Sequence, residues 1–165
     1  MISEEIVTQT WQKIGQTTEY EAPLIVQQMQ EEQPVALSFL ISLDDMPFNQ
    51  NEREIIMYLG LIVWQIMRQS ERPLRKVTRN KLRRAEEANI EWLERMETAK
   101  EADFFGSIQV MLATYPEPEV LRYILEAIME ESEDPDDILV RDEYTGLAFL
   151  HLKILLDAFV ASLAP

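Results

Sequence analysis

A single histidine and no cysteine narrow the chemistry open to this chain of 165 residues. His151 lies in the run GLAFLHLKILL, with no second histidine to share a metal. It also lacks the glutamate three residues earlier that a helical di-iron site uses. Alone among apolar neighbours, it reads as a core histidine with one hydrogen-bond partner. Without cysteine there are no disulfides, no thiolate nucleophile and no sulfur-ligated zinc or iron–sulfur centre. Four glycines leave little material for a phosphate-cradling loop.

Carboxylates are plentiful, and Glu91 with Glu94, Glu94 with Glu97, and Glu130 with Glu133 have the spacing that can hold Mg²⁺ on a helix face. Helical Mg²⁺-dependent hydrolases also need further acids facing the first pair. Here the next candidates, Glu101 and Asp103, are two apart and do not share a helix face. The acidic stretch 130–143 is no calcium loop: with Asp134 as its first position, Ile138 and Leu139 fall where a ligand and a glycine are required. No catalytic residue, metal ligand or cofactor is therefore assigned.

The unusual feature is positive. Residues 68–84, which include RPLRKVTRNKLRR, hold eight of the fifteen basic residues and one acid, Glu71, in a chain of net charge -15. Arg79, Lys81, Arg83 and Arg84 fall in the first two turns of an expected helix, where the macrodipole disfavours cations by a few tenths of a kcal/mol each. Arg83 and Arg84 can both reach Glu87, whereas Arg72, Lys76 and Arg79 have no acid three or four residues away, and Arg75 has only Glu71, across Pro73. Glu130, Glu131 and Glu133 show the mirror fault, gathered at a helix C-terminus. The candidate binding residues are accordingly Arg72, Arg75, Lys76, Arg79, Lys81, Arg83 and Arg84.

Three uses of these cations present themselves. They face the acids of 130–143 or simply lie in water. They dock an acidic partner protein or a second copy of the chain. Or they bind phosphate, on a nucleic acid or a nucleotide. No aromatic residue stands among the bases to stack on a nucleobase, and no short helix with a glycine turn precedes them to complete a helix-turn-helix.

Helical period runs through the elements that must position these groups. Ser3 is an N-cap, followed by Val7, Trp11 and Ile14 on one face. Pro23 and Pro34 suit first turns, and Asn49 with Glu52, or Asn51 with Glu54, makes a capping box. From Ile55 to Met67 only Gln65 is clearly polar, and the run is too short for a hydrocarbon layer that takes about 20 residues. A fifth helix starts after Thr78, with Val77 and Leu82 as a staple, and runs to about residue 102 with Ile90, Trp92, Leu93 and Met96 inward. Residues 103–115 read as a helix capped by Asp103, with Phe105, Ile108, Leu112 and Tyr115 inward, although a strand also fits. Pro116 and Pro118 open a helix with a Leu121, Ile124, Leu125 and Ile128 stripe. The last helix carries Lys153 and Asp157 four apart on one side, with His151 and Ser162 roughly opposite. Those mid-helix charges oppose membrane insertion.

The expectation is an all-α chain forming one domain over 1–165. It is an irregular bundle of about eight helices around a central apolar helix (52–68) and an apolar C-terminal helix (143–163). The start MISEEIVTQTWQ has no basic region leading into an apolar core, so the expected compartment is the cytoplasm. The expected function is a non-enzymatic interaction or regulatory module working through 68–84, with a protein partner or self-association and no membrane. A nucleic-acid or nucleotide phosphate ligand is the alternative, and a Mg²⁺-dependent helical hydrolase ranks below it.

Overall fold

The computed structural model of the chain describes residues 1–97, 100–130 and 140–165, the side chains of 101–105 excepted. The described residues form eight α-helices and no strand. These are α1 (Glu4–Gly15), α2 (Ala22–Glu32), α3 (Pro34–Ile41), α4 (Gln50–Met67), α5 (Arg79–Glu97), α6 (Glu101–Thr114), α7 (Pro118–Ile128) and α8 (Thr145–Ala161). A 3₁₀ turn at Asp142–Tyr144 leads into α8, which packs against α3, α4, α5 and α7.

Local chemistry explains most of the helix starts. Ser3 Oγ accepts the Ile6 N–H at 3.2 Å. Proline stands in the first turn of α2, α3 and α7, where its missing N–H costs nothing. At α4 the capping box that forms is Asn49 with Glu52, each side chain accepting the other's backbone N–H at 2.8 Å. Thr78 Oγ1 accepts the Lys81 N–H at 3.2 Å and opens α5.

Among the described residues, all the buried apolar side chains but Leu150 and Ile154 form one cluster, which includes Trp64, Ile62, Ile66 and Met67 of α4 and Leu152, Leu155, Leu156 and Phe159 of α8. On α3, Ala36, Leu37 and Leu40 are buried. Here α3 crosses α4 so closely that a Cβ on Gly60 would collide with the Leu40 side chain. The stretch Asp142–Ala161 is long and apolar enough, by length and composition, to cross a membrane, and 61% of its apolar window is buried among the other helices.

Three details differ from expectation. Trp11 is exposed, at 42%, because the inner stripe of α1 passes through Thr10 instead. Its hydroxyl donates to the Ile6 carbonyl at 2.7 Å and accepts from Gln69 Nε2 at 2.7 Å, so a polar side chain sits satisfied where the pattern favours an apolar one. On α5, Ile90 is 45% exposed and its neighbour Asn89 is buried, since Leu82, Ala85 and Asn89 face α8, whose charges need a polar partner. Finally, Lys100 is extended and α6 begins at Glu101, so the fifth helix does not run to residue 102 and the sixth starts ahead of Asp103, with acids in its first turn. Ile108, Leu112 and Tyr115 are half-buried as expected, while the Phe105 side chain lies outside the described residues.

Candidate basic interface

Between α4 and α5 the chain crosses the C-terminal tail. Arg75 N–H donates to the Ser162 carbonyl and Ala164 N–H to the Pro73 carbonyl, both at 2.9 Å, framing an antiparallel bridge between Leu74 and Leu163. A second restraint comes from Gln33, which is 3% exposed. Its Nε2 donates to the Arg75 carbonyl and its Oε1 accepts the Val77 N–H, each at 2.9 Å. One primary amide thus satisfies a backbone donor and a backbone acceptor two residues apart. Leu74 and Val77 turn toward the core, while Arg72, Arg75 and Lys76 are exposed on this anchored segment.

The remaining cations ride on the first turns of α5. With Leu82, Ala85 and Asn89 directed inward, helical spacing lays Arg79 and Arg83 along one flank and Lys81 with Arg84 along the other. The cations therefore fan over the outer half of the helix start and do not form one narrow stripe. Arg79, Arg83 and Arg84 are exposed and Lys81 is half-buried. Arg83 donates to Asn80 Oδ1 at 2.7 Å and lies 3.9 Å from Glu87. The expected contact of Arg84 with Glu87 does not form. No carboxylate of a described residue lies within 4.0 Å of the charged groups of Arg72, Arg75, Lys76, Arg79, Lys81 or Arg84. Arg68, by contrast, is drawn back onto α4 and α2: it meets Glu32 at 3.2 Å and lies over the Trp64 ring at 4.9 Å.

Residues 131–139, most of the acidic stretch, lie outside the described residues, and with them the expectation that this stretch faces 68–84. Arg141, its one base, turns to Glu52 at 2.7 Å. Among the described residues no three His, Asp or Glu side chains gather as a metal site. Glu91, Glu94 and Glu97 are all exposed along α5. His151 is buried and stacks on Phe39, ring centroids 4.2 Å apart. Burial lowers its pKa to about 4, the carbonyls of Leu40 and Phe39 pulling the other way.

Sequence spacing marked Lys153 and Asp157 as a pair but missed what surrounds them. Lys153 Nζ donates to Asp157 Oδ2 at 2.8 Å and to Asn89 Oδ1 at 2.9 Å, and Asn89 Nδ2 donates to Asp157 Oδ2 at 2.7 Å. The Tyr115 hydroxyl donates to Asp157 Oδ1. Burial, then the Asp157 charge, pushes the Tyr115 pKa far up, so this proton stays in place. Each group is satisfied by another member of the set, as a buried polar network requires. Gln33 also escaped a reading by pattern; a glutamine between a helix and a proline carries no spacing signal for a partner 42 residues on. Comparison of the chain with protein-family models, curated proteins and solved structures returned no match.

Proposed function

We propose that this chain is a non-enzymatic interaction module of the cytoplasm that engages an acidic partner protein. Its contact surface is the anchored segment bearing Arg72, Arg75 and Lys76 together with the α5 start bearing Arg79, Lys81, Arg83 and Arg84. The observation that carries this reading is the combination of open cations with a held backbone. Six of these side chains have no described carboxylate within 4.0 Å, yet the segment beneath three of them is bonded to Gln33 and to residues 162–164. A fixed scaffold lowers the ordering cost of binding, and unneutralised charge steers an oppositely charged partner over the short range left by physiological salt, roughly 8 Å.

Fluorescence anisotropy with a labelled oligoglutamate peptide and with a labelled single-stranded RNA tests the proposal. The peptide is expected to bind at low salt, to dissociate as salt rises, and to lose at least about tenfold in affinity with Arg75→Glu plus Arg79→Glu. Binding of the RNA in preference to the peptide would replace the proposal with phosphate recognition. Binding of neither, with light scattering unchanged by the reversals, would end both readings.

A further inference from the structure

A groove of about 560 Å³ opens between α1, α4 and α7, on walls that share no residue with the basic interface. Its lining combines three aromatic side chains, Trp11, Tyr58 and Tyr123, with apolar residues such as Ile62 and two carboxylates, Glu126 and Glu130. Trp11 and Tyr58 are 42% and 43% exposed. The rings come from different helices, α1, α4 and α7, so tertiary packing brings them together. The Tyr123 hydroxyl lies near enough to Tyr58 and to Glu130 for both to raise its pKa, after burial, which raises it most. Among the described residues the lining contains no Lys, Arg or His.

We propose that this groove is a binding site for a small organic cation of the quaternary or alkylated ammonium class. The faces of Trp and Tyr rings attract a diffuse cation through their quadrupole, most strongly for Trp. The alkyl groups of such a cation match an apolar lining, and the carboxylates of Glu126 and Glu130 supply the opposite charge. A pocket of this volume, mostly apolar with a few polar groups, has the proportions of a small-molecule site. The same features disfavour the alternatives: an anion would meet two carboxylates, and a neutral apolar ligand would leave them without a purpose.

The test is titration with choline and with its neutral isostere 3,3-dimethylbutan-1-ol, followed by tryptophan fluorescence and by calorimetry. Choline is expected to change the emission saturably, and the isostere to bind at least about tenfold more weakly. Glu126→Gln with Glu130→Gln should weaken choline about tenfold and bring the two ligands close together. Trp11→Phe should remove the fluorescence response while calorimetry still detects weakened binding. All three changed side chains are at the surface, and circular dichroism of each variant checks that the helices are retained. No saturable response to choline, equal binding of the isostere, or a response undiminished by Trp11→Phe would each overturn the proposal.

Discussion

Glu52 and Arg141, 89 positions apart, are joined by both oxygens of one carboxylate. Oε1 accepts from Arg141 Nη2 at 2.7 Å, and Oε2 accepts the Arg141 backbone N–H at 2.8 Å, while Oε1 also accepts the Asn49 N–H at 2.8 Å. A residue that caps its own helix thus fastens the chain where it returns toward α8. Arg141 is held in turn over the Tyr144 ring at 4.5 Å. The hydrogen bond from Arg141 is the chief cause of a Glu52 pKa lowered to about 2, against the opposing effect of burial, with backbone N–H donors assisting.

Glu52→Ala is expected to lower stability by more than about 2 kcal/mol, since it removes a cap and leaves a charged partner without its acceptor. The pH dependence follows from the lowered pKa. The folded chain holds Glu52 ionised below the pH at which the unfolded chain protonates it. Its contribution is therefore complete above about 4.5 and is lost as pH falls toward about 2. Thermal melts of both chains across that range should converge at the acid end.

His151 predicts a separate, higher window. Its folded pKa of about 4 lies below its ordinary 6.5, so between these values the unfolded chain binds the extra proton. Stability should fall as pH drops from 6.5 to 4 and then stop responding to this group, a loss on the order of 3 kcal/mol. His151→Phe, which keeps a ring against Phe39, should flatten that part of the profile. A slope that survives the substitution would mean that another group titrates there.

Gln33→Ala should cost about 1–3 kcal/mol, because the Arg75 carbonyl and the Val77 N–H lose a buried partner together. Gln33→Glu keeps an acceptor for Val77 but sets a carboxylate oxygen against the Arg75 carbonyl, so it should not rescue. Both variants should also weaken oligoglutamate binding although every cation is still present. Urea melts and anisotropy on the same samples measure the two effects, and normal binding with lowered stability would detach Gln33 from the interface.

In the buried network the two charges are not equivalent. Without Lys153, Asp157 keeps donors from Asn89 and Tyr115; without Asp157, Lys153 keeps, among the described residues, one hydrogen-bond acceptor, the Asn89 oxygen, and the Tyr115 ring at 5.7 Å. Asp157→Leu is therefore expected to cost about 3–5 kcal/mol and Lys153→Met less, with the double variant below the sum of the two. A double-mutant cycle by denaturant unfolding gives all three numbers.

Local rules make the helices readable in the sequence. The Ser3 cap, the Asn49–Glu52 box, the prolines opening α3 and α7 and the apolar runs of α4 and α8 all act over three or four residues, the distance over which spacing in sequence is spacing in space. The cations of 72–84 were legible for the same reason, as a run of charges of which only Arg83 and Arg84 have an acid within reach along their helix.

What tertiary structure alone decided is the partner of each polar group. A glutamine, an asparagine or a glutamate on a helix has the same pattern whether it meets water or a distant chain. Packing chose Arg141 for Glu52, Asn89 and Tyr115 for Asp157, and the backbone at 75 and 77 for Gln33. It also turned Trp11 outward to share a groove with Tyr58 and Tyr123. Hydrophobic period says that a face is buried; only the approach of a second helix says against what, because the energy of a polar contact belongs to the pair and not to either residue.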